Sequence, residues 1–230
     1  MSYRWILFDA DNTLFDFDRS AAEALRQTVE AHGNRFDPGH VASYATINHR
    51  YWQAFERGEI DQARLRVDRF EEFLRESGML DTVPGEFSVD YEQNLGRGSH
   101  LLGGALEILE KLQPHVELAL ITNGLMDVQR PRLAGSPIAA FFREILISEE
   151  VGAAKPDPEI FAIAFQRMGS PALSEVLMVG DSLSSDMKGG SDFGIDTCWF
   201  NPKGNTRDRA VSVTYEIQSL DELAAICIPE

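Results

Sequence analysis

The sequence predicts an α/β protein with a doubly wound parallel sheet and an inserted helical domain. Short apolar runs typical of buried strands alternate with longer stretches of helical periodicity. Several of these runs end on polar residues, as strands do at the ligand-binding edge of an open α/β sheet. Between the first run and the second, about a hundred residues contain no convincing strand, which is far more than a single crossover helix needs.

Five apolar runs account for the predicted strands. They span residues 5–8, 116–121, 145–147, 176–179 and 197–200. Each run has three to six residues and lacks strict alternation of polar and apolar residues, which favours strands buried on both faces. A helix over 103–112 is expected to lead the chain into the second strand.

The long insert is predicted to be helical. Apolar residues recur at helical spacing over 19–31 and 61–76, and further helices are expected from 37 onward and over 86–95. Asp18 is a candidate cap of the first of them. We therefore divide the chain into a core of residues 1–15 and 98–230 and a helical domain of residues 16–97, with hinges near 15–18 and 95–99.

Charge and composition exclude several classes of function. The chain has 230 residues with 21 Lys and Arg against 37 Asp and Glu, a net charge of −16. Because such a surface repels polyanions, a nucleic-acid polymer is not an expected partner. No run reaches the roughly 18 to 20 apolar residues that a membrane span needs.

The compartment and the oligomeric state rest on fewer signals. The N-terminal apolar run is too short for a signal peptide, and two cysteines, Cys198 and Cys227, are too few for a disulfide framework. We expect a cytoplasmic protein with two reduced, structural thiols. The sequence leaves open whether it is a monomer or a homodimer.

Two acidic motifs follow predicted strands. Asp9-Ala10-Asp11-Asn12-Thr13-Leu14 comes directly after the first strand, and Gly180-Asp181 through Asp186 follows the fourth. Carboxylates that meet at neighbouring strand ends repel one another unless a cation lies among them. Hard oxygen ligands select Mg²⁺, so the sequence predicts a magnesium site.

Two further motifs carry groups suited to phosphate. Thr122-Asn123-Gly124 supplies a hydroxyl, an amide and a flexible backbone after the second strand. Lys155-Pro156 places a cation just before a predicted helix. Each motif alone is ordinary turn or surface chemistry, and only their combination predicts a phosphoryl-transfer site.

The four motifs, in this order, resemble those of the haloacid-dehalogenase-like hydrolase superfamily. The resemblance spans nearly the whole chain and implies a Rossmann-like core with a helical cap inserted after the first strand. It also implies Mg²⁺-dependent hydrolysis of a phosphomonoester through an aspartyl-phosphate. The cap would then close over the substrate and supply specificity.

The resemblance assigns a role to each motif residue. Asp9 would be the nucleophile and Asp11 the general acid/base. The metal would be held by Asp9, the backbone carbonyl of Asp11 and Asp181. Phosphate oxygens would be bound by Thr122, Asn123 and Lys155. Two supporting residues remain: Thr13 would brace the loop, and Asp186 would orient Lys155 or a metal-bound water.

Two softer signals bear on the substrate. The segment Asp9 through Asp18 and the later Trp199-Phe200-Asn201-Pro202 are similar to the pyrimidine 5′-nucleotidase subgroup, which implies a nucleoside monophosphate as substrate. Aromatic residues could stack on a base; the candidates are Phe15, Phe17, Tyr51, Trp52 and Phe55.

Three alternatives stay open. A sugar-phosphate phosphatase or a phosphomutase would carry the same motifs and differ in its cap. A haloacid dehalogenase needs neither an acid at position 11 nor a phosphate-binding metal, so Asp11 and Asp181 count against it. A non-catalytic binding protein could keep the fold without turnover, although every expected catalytic side chain is present.

Overall fold

A computed structural model describes residues 3–206 and 210–228 of the chain. The chain forms two compact units. The first contains the residues up to Phe17 and those from Ser99 onward, and the second runs from Asp18 to Gly98.

The first unit is built on a six-stranded sheet in the order β3-β2-β1-β4-β5-β6. All neighbouring strands are parallel. The strands are β1 Trp5–Phe8, β2 Glu117–Thr122, β3 Glu144–Ile147, β4 Val176–Gly180, β5 Asp196–Phe200 and β6 Tyr215–Ile217. This is a doubly wound, Rossmann-like sheet, and the predicted fold class is confirmed. Since β1 lies between β2 and β4, the carboxyl ends of these three strands meet at one point of the sheet edge.

The sixth strand was not predicted. It has only three residues, it lies at the sheet edge, and Glu216 in its middle is exposed. A strand of this length shows no readable periodicity. The five predicted strands are all present, with bounds that differ by at most one residue.

The central strands are largely apolar because both faces of the sheet are covered. Ile6 and Phe8 of β1 pack into one buried cluster, whereas Trp5 and Leu7 pack into another. Successive side chains of a strand point to opposite faces, so the run Trp5 to Phe8 serves two hydrophobic layers at once.

Helices cover the two faces. Those of the first unit are α5 Ala105–Leu112, α6 Met126–Ala134, α7 Ser148–Val151, α8 Pro158–Arg167, α9 Lys188–Phe193 and α10 Leu223–Cys227. Short helical turns span Ala139–Phe141, Leu173–Glu175, Leu183–Met187 and Leu220–Glu222. Cys198 lies in β5 and Cys227 in α10, and both are buried and free of any disulfide.

The second unit contains four helices. They are α1 Phe17–Ala31, whose first residue belongs to the first unit, α2 Gly39–Glu56, α3 Gln62–Glu76 and α4 Pro84–Arg97. Asp61 caps α3 by accepting a hydrogen bond from the Arg64 backbone N–H at 2.9 Å. The helix α1 begins before Asp18, so this residue lies in the first turn and the prediction that it caps the helix was wrong.

The interior of the helical unit is aromatic. The rings of Tyr44 and Phe70 are stacked, with centroids 5.2 Å apart, and Tyr91 lies edge-on to Tyr44. Arg69 enters this interior and donates to Asn48 Oδ1 at 2.7 Å. Among the described residues, no helix combines the length and apolar character that a membrane span requires.

Candidate active site

The motif residues meet at the carboxyl ends of β1, β2 and β4. Asp9 directly follows β1, Thr122 is the last residue of β2, and Asp181 directly follows β4. The strand order places these three ends side by side. Residues far apart in the sequence therefore form one polar cluster.

Asp9 is buried, and both of its carboxylate oxygens are held. Lys155 Nζ donates to Oδ1 at 2.6 Å, and the Thr13 hydroxyl donates to Oδ2 at 3.2 Å. Its backbone N–H donates to the Val179 carbonyl at 2.9 Å, which continues the pairing of β1 with β4. These contacts fix the direction in which the Asp9 carboxylate points.

Lys155 is a fully buried cation with three oxygen partners. Besides Asp9, its Nζ lies 2.8 Å from Asp186 Oδ1 and 2.7 Å from the Ile121 carbonyl oxygen. Burial by itself would lower the pKa of Lys155, but the charges of Asp186 and Asp9 outweigh it and raise that pKa above its usual value. The two neighbouring carboxylates therefore favour the charged ammonium form at the centre of the cluster.

Asn123 holds the backbone of Lys155. Its Nδ2 donates to the Lys155 carbonyl at 2.7 Å, and its Oδ1 accepts from the Lys155 N–H at 2.8 Å. Both polar atoms of the side chain are thus engaged with the backbone that carries the buried cation. The predicted contact of this side chain with phosphate stays a prediction, whereas its contact with Lys155 is a structural fact.

Thr122 braces the turn that follows β2. Its hydroxyl oxygen accepts a hydrogen bond from the Gly124 backbone N–H at 3.0 Å, and the side chain is buried. The hydroxyl remains able to donate one hydrogen bond of its own.

The Asp186 carboxyl group packs directly against Gly180. Its Oδ2 accepts from the Ser182 backbone N–H at 3.0 Å. A Cβ added to Gly180 would collide with the Asp186 carboxyl group, so only glycine fits at the end of β4. Trp199 on β5 fixes the neighbouring backbone, because its indole N–H donates to the Asp181 carbonyl at 2.9 Å.

Three carboxylates form a set that suits a metal ion. One oxygen from each of Asp9, Asp181 and Asp186 lies within 4.8 Å of the others. Burial raises the pKa of Asp9 to about 7. The charge of Asp186 also raises this pKa, whereas Lys155 lowers it. Burial and the charges of Asp9 and Asp186 raise that of Asp181 well above its usual value. A cluster that resists its own ionisation in this way, with hard oxygen donors alone, fits a divalent cation such as Mg²⁺.

The side chain of Asp11 is not part of this carboxylate set. Gln129 Nε2 donates to its Oδ2 at 2.6 Å, and Arg132 Nη1 forms an ion pair with its Oδ1. The metal ligand predicted from this residue was its backbone carbonyl, which the position of the side chain does not test. Gln129 and Arg132 lie on α6, and the sequence analysis did not identify either of them.

Comparison with known proteins identifies the family of this chain. The family model of the haloacid dehalogenase-like hydrolases matches residues 3–194. The chain belongs to the haloacid dehalogenase-like hydrolase family.

Relatives within the family match over almost their full length. The HAD-hydrolase YfnB of Bacillus subtilis is 36% identical over 96% of this chain and 94% of its own. The pyrimidine 5′-nucleotidases YjjG of Escherichia coli and PynA of Streptococcus pneumoniae are 33% and 32% identical, over 97% of this chain in each case and 97% and 94% of their own. The crystal structure of YfnB bound to magnesium has a TM-score of 0.94 at 35% identity, with full coverage of both chains.

One of the aromatic residues predicted as candidates for base stacking is not accessible. Phe15 is fully buried in the core of the first unit and is not available to stack on a ligand. Phe17, Tyr51, Trp52 and Phe55 are partly exposed. Trp52 and Phe55 lie edge to face with ring centroids 5.8 Å apart, and their contact with substrate stays a prediction.

The missed residues of α6 carried a weak signal. Gln129 and Arg132 are three positions apart, so they lie on the same helix face, and both are buried although they are polar. A polar pair at this spacing is ordinary on an exposed helix face. Only the fold shows that this face is turned toward Asp11.

Proposed function

We propose that this hydrolase is a Mg²⁺-dependent phosphomonoesterase that acts through an aspartyl-phosphate on Asp9, with pyrimidine nucleoside 5′-monophosphates as substrates. The observation that carries the proposal is the buried Asp9 carboxylate, aligned by Lys155 and Thr13 beside two further carboxylates. The substrate is a small phosphomonoester.

Asp9 is the nucleophile. A carboxylate oxygen attacks phosphorus, the bond to the leaving oxygen breaks, and the phosphoryl group is carried on Asp9 until water releases it. The contacts of Lys155 and Thr13 hold the carboxylate in one orientation, which lowers the entropy cost of aligning it for attack.

Lys155 reduces the electrostatic repulsion between the phosphate and the carboxylates around Asp9. The dianionic phosphate must approach a site that already holds several carboxylates. A fully buried ammonium group 2.6 Å from Asp9 offsets part of this repulsion in a medium of low dielectric. Asp186 and Asn123 hold that ammonium group and its backbone in place.

Asp9, Asp181 and the backbone carbonyl of Asp11 are the proposed metal ligands, and Asp186 supports them. When bound, Mg²⁺ would neutralise these carboxylates together with the phosphate and stabilise charge on the transferring group. The magnesium-bound structure of the relative YfnB supports this choice of ion.

Asp11 is the general acid and base. It would donate a proton to the leaving oxygen and afterwards take one from the water that attacks the phospho-enzyme. Its side chain is not one of the three clustered carboxylates and is held by α6, which leaves it available for proton transfer while Asp9 attacks phosphorus. Thr122, Asn123 and Lys155 would bind the non-bridging oxygens.

The relatives support the substrate class. Two proteins that match this chain over almost their whole length are named pyrimidine 5′-nucleotidases. A sugar-phosphate phosphatase or phosphomutase would share the same core residues. A dehalogenase is disfavoured, because it gains nothing from Asp181 or from an acid at position 11.

The test is phosphate release from a matched panel of substrates. UMP, dUMP and dTMP are compared with AMP, GMP and hexose phosphates in the presence of Mg²⁺, with chelator-treated enzyme and Asp9→Asn as controls. We expect preferential hydrolysis of the pyrimidine nucleotides, no turnover with chelator and none with Asp9→Asn. A preference for hexose phosphates would remove the substrate assignment, and appreciable turnover by pure Asp9→Asn would remove the nucleophile.

A further inference from the structure

Two side chains of α6 contact the Asp11 carboxylate, one at each of its oxygens. Gln129 Nε2 donates to Oδ2 at 2.6 Å, and the Arg132 guanidinium pairs with Oδ1. The two donors are three residues apart on one helix face, so a single rigid element supplies both.

Asp11 is the only hydrogen-bonding partner that these two side chains have among the described residues. Gln129 is 1% exposed and Arg132 is fully buried. Their other buried polar atoms, Gln129 Oε1 and Arg132 Nε and Nη2, have no hydrogen-bond partner within residues 3–206 and 210–228. The guanidinium also lies near the Phe15 and Phe17 rings, 5.3 and 6.0 Å from their centroids. A buried cation with one carboxylate partner is costly to separate from it.

Gly124 leaves the space through which Gln129 reaches Asp11. A Cβ added to Gly124 would collide with the side-chain amide of Gln129. The absence of a side chain at Gly124 therefore leaves room for the amide group of Gln129. The third residue of the Thr122-Asn123-Gly124 motif is thus coupled to the second acidic residue of the first motif.

We propose that Gln129 and Arg132 are positioning residues that orient the Asp11 carboxylate for proton transfer, and that Gly124 is required to admit Gln129. The inference rests on the proposed function, in which Asp11 protonates the leaving oxygen. A carboxylate has about four lone-pair sites, so two contacts fix its plane and still leave about two sites for the transferred proton. Neither positioning residue is assigned a contact with the phosphoryl group.

The first test separates proton transfer from phosphate binding. Gln129→Met keeps the side-chain length and removes the donor. We expect its kcat/KM for a nucleoside monophosphate to fall about tenfold, a fraction of what a general acid contributes. For p-nitrophenyl phosphate kcat/KM should hold, because p-nitrophenolate leaves without a proton. Inhibition by inorganic phosphate should also be unchanged, since Asp9 and Lys155 are intact.

A matched control and a coupling test exclude a general structural effect. Gln166→Met changes an exposed glutamine on α8 of the same unit and should alter neither substrate. In an Asp11→Asn background, Gln129→Met should cause no further loss. Gly124→Ala should reproduce the selective loss of Gln129→Met, and the two together should lose no more than either alone.

The second test detects the hydrogen bond between Gln129 and Asp11 by a measurement that does not depend on enzyme activity. The side-chain amide resonances of Gln129, followed by ¹H–¹⁵N NMR, should be slow to exchange in the wild-type protein and should shift and exchange faster in Asp11→Ala. If wild-type protein hydrolyses no phosphomonoester, the proposed function fails and the NMR comparison still decides the contact. Three results would each overturn the proposal. Gln129→Met could lose equal activity on both substrates, or it could gain activity. The amide resonances of Gln129 could also stay unchanged in Asp11→Ala.

Discussion

Lys155 Nζ lies 2.6 Å from Asp9 Oδ1, although the two residues are 146 positions apart in the sequence. The same ammonium group lies 2.8 Å from Asp186. One buried cation thus ties the end of β1 to the turn after β4. The pairing has consequences for stability as well as for chemistry.

Lys155→Met should destabilise the fold when no divalent metal is present. The substitution leaves buried carboxylates without their cation, and breaking a buried ion pair from one side costs about 3–5 kcal/mol. For a chain of this size we expect the Tm in the presence of chelator to fall by roughly 10 °C.

The control for this variant is Lys188→Met. Lys188 pairs with Asp192 one helical turn away, and both side chains are more than half exposed. An exposed pair of this kind contributes under about 0.5 kcal/mol. Equal Tm values for the two variants would show that the buried pair contributes no more than a surface pair.

The sequence was sufficient to predict the sheet because its strands are buried on both faces. The run Trp5 to Phe8 is apolar without interruption, and polar residues mark the end of each long strand. The edge strand Tyr215–Ile217 escaped prediction, since three residues with one exposed glutamate carry too little pattern.

The site was predicted only as far as its motifs reach. The motifs identified Asp9, Asp181 and Lys155 as candidate site residues, and the fold places these residues together. Gln129 lies outside the motifs, and nothing in a single helix pattern shows which buried partner a polar side chain meets. The same holds for the engagement of Asn123 with the Lys155 backbone, which depends on the tertiary proximity of two loops.

The stabilising effect of Mg²⁺ should depend on pH. Because the pKa of Asp9 is raised to about 7, the folded protein binds more protons than the unfolded chain between about pH 4 and pH 7. Without metal, stability therefore falls as the pH rises through this range. Protons compete with the cation, so Mg²⁺ should raise Tm little at about pH 5 and by roughly 5–10 °C above pH 7, at about a hundred times its Kd.

Thermal melts with and without Mg²⁺ across this pH range measure the effect. Asp181→Ala removes a proposed ligand and should weaken the response to Mg²⁺ at every pH. A Tm increase of the same size at pH 5 and pH 8 would contradict the assignment of the raised carboxyl groups to the metal site.

Gly180→Ala should damage the site through steric contact alone. The added methyl group would occupy the position of the Asp186 carboxyl group, which would then lose its contacts with Lys155 and the Ser182 N–H. Overpacking of this kind costs about 1–3 kcal/mol, and we expect kcat/KM to fall at least about tenfold.

Gly103→Ala is the matched change. It lies in the same unit, and an added Cβ there meets nothing within 4 Å. Its activity and Tm should equal those of the wild-type protein. An unimpaired Gly180→Ala enzyme would show that the Asp186 carboxyl group can move without consequence.

The two cysteines should be inert in the folded protein. Burial raises the pKa of the Cys227 thiol to about 12, and burial together with the nearby Cys227 and Glu222 raises that of Cys198 further. At about pH 8 a thiol with such a pKa is ionised to about one part in ten thousand, and only the thiolate reacts. We expect DTNB to titrate neither thiol in native protein and both in guanidinium chloride. Rapid reaction of one equivalent under native conditions would mean that β5 or α10 opens to solvent far more readily than its buried packing implies.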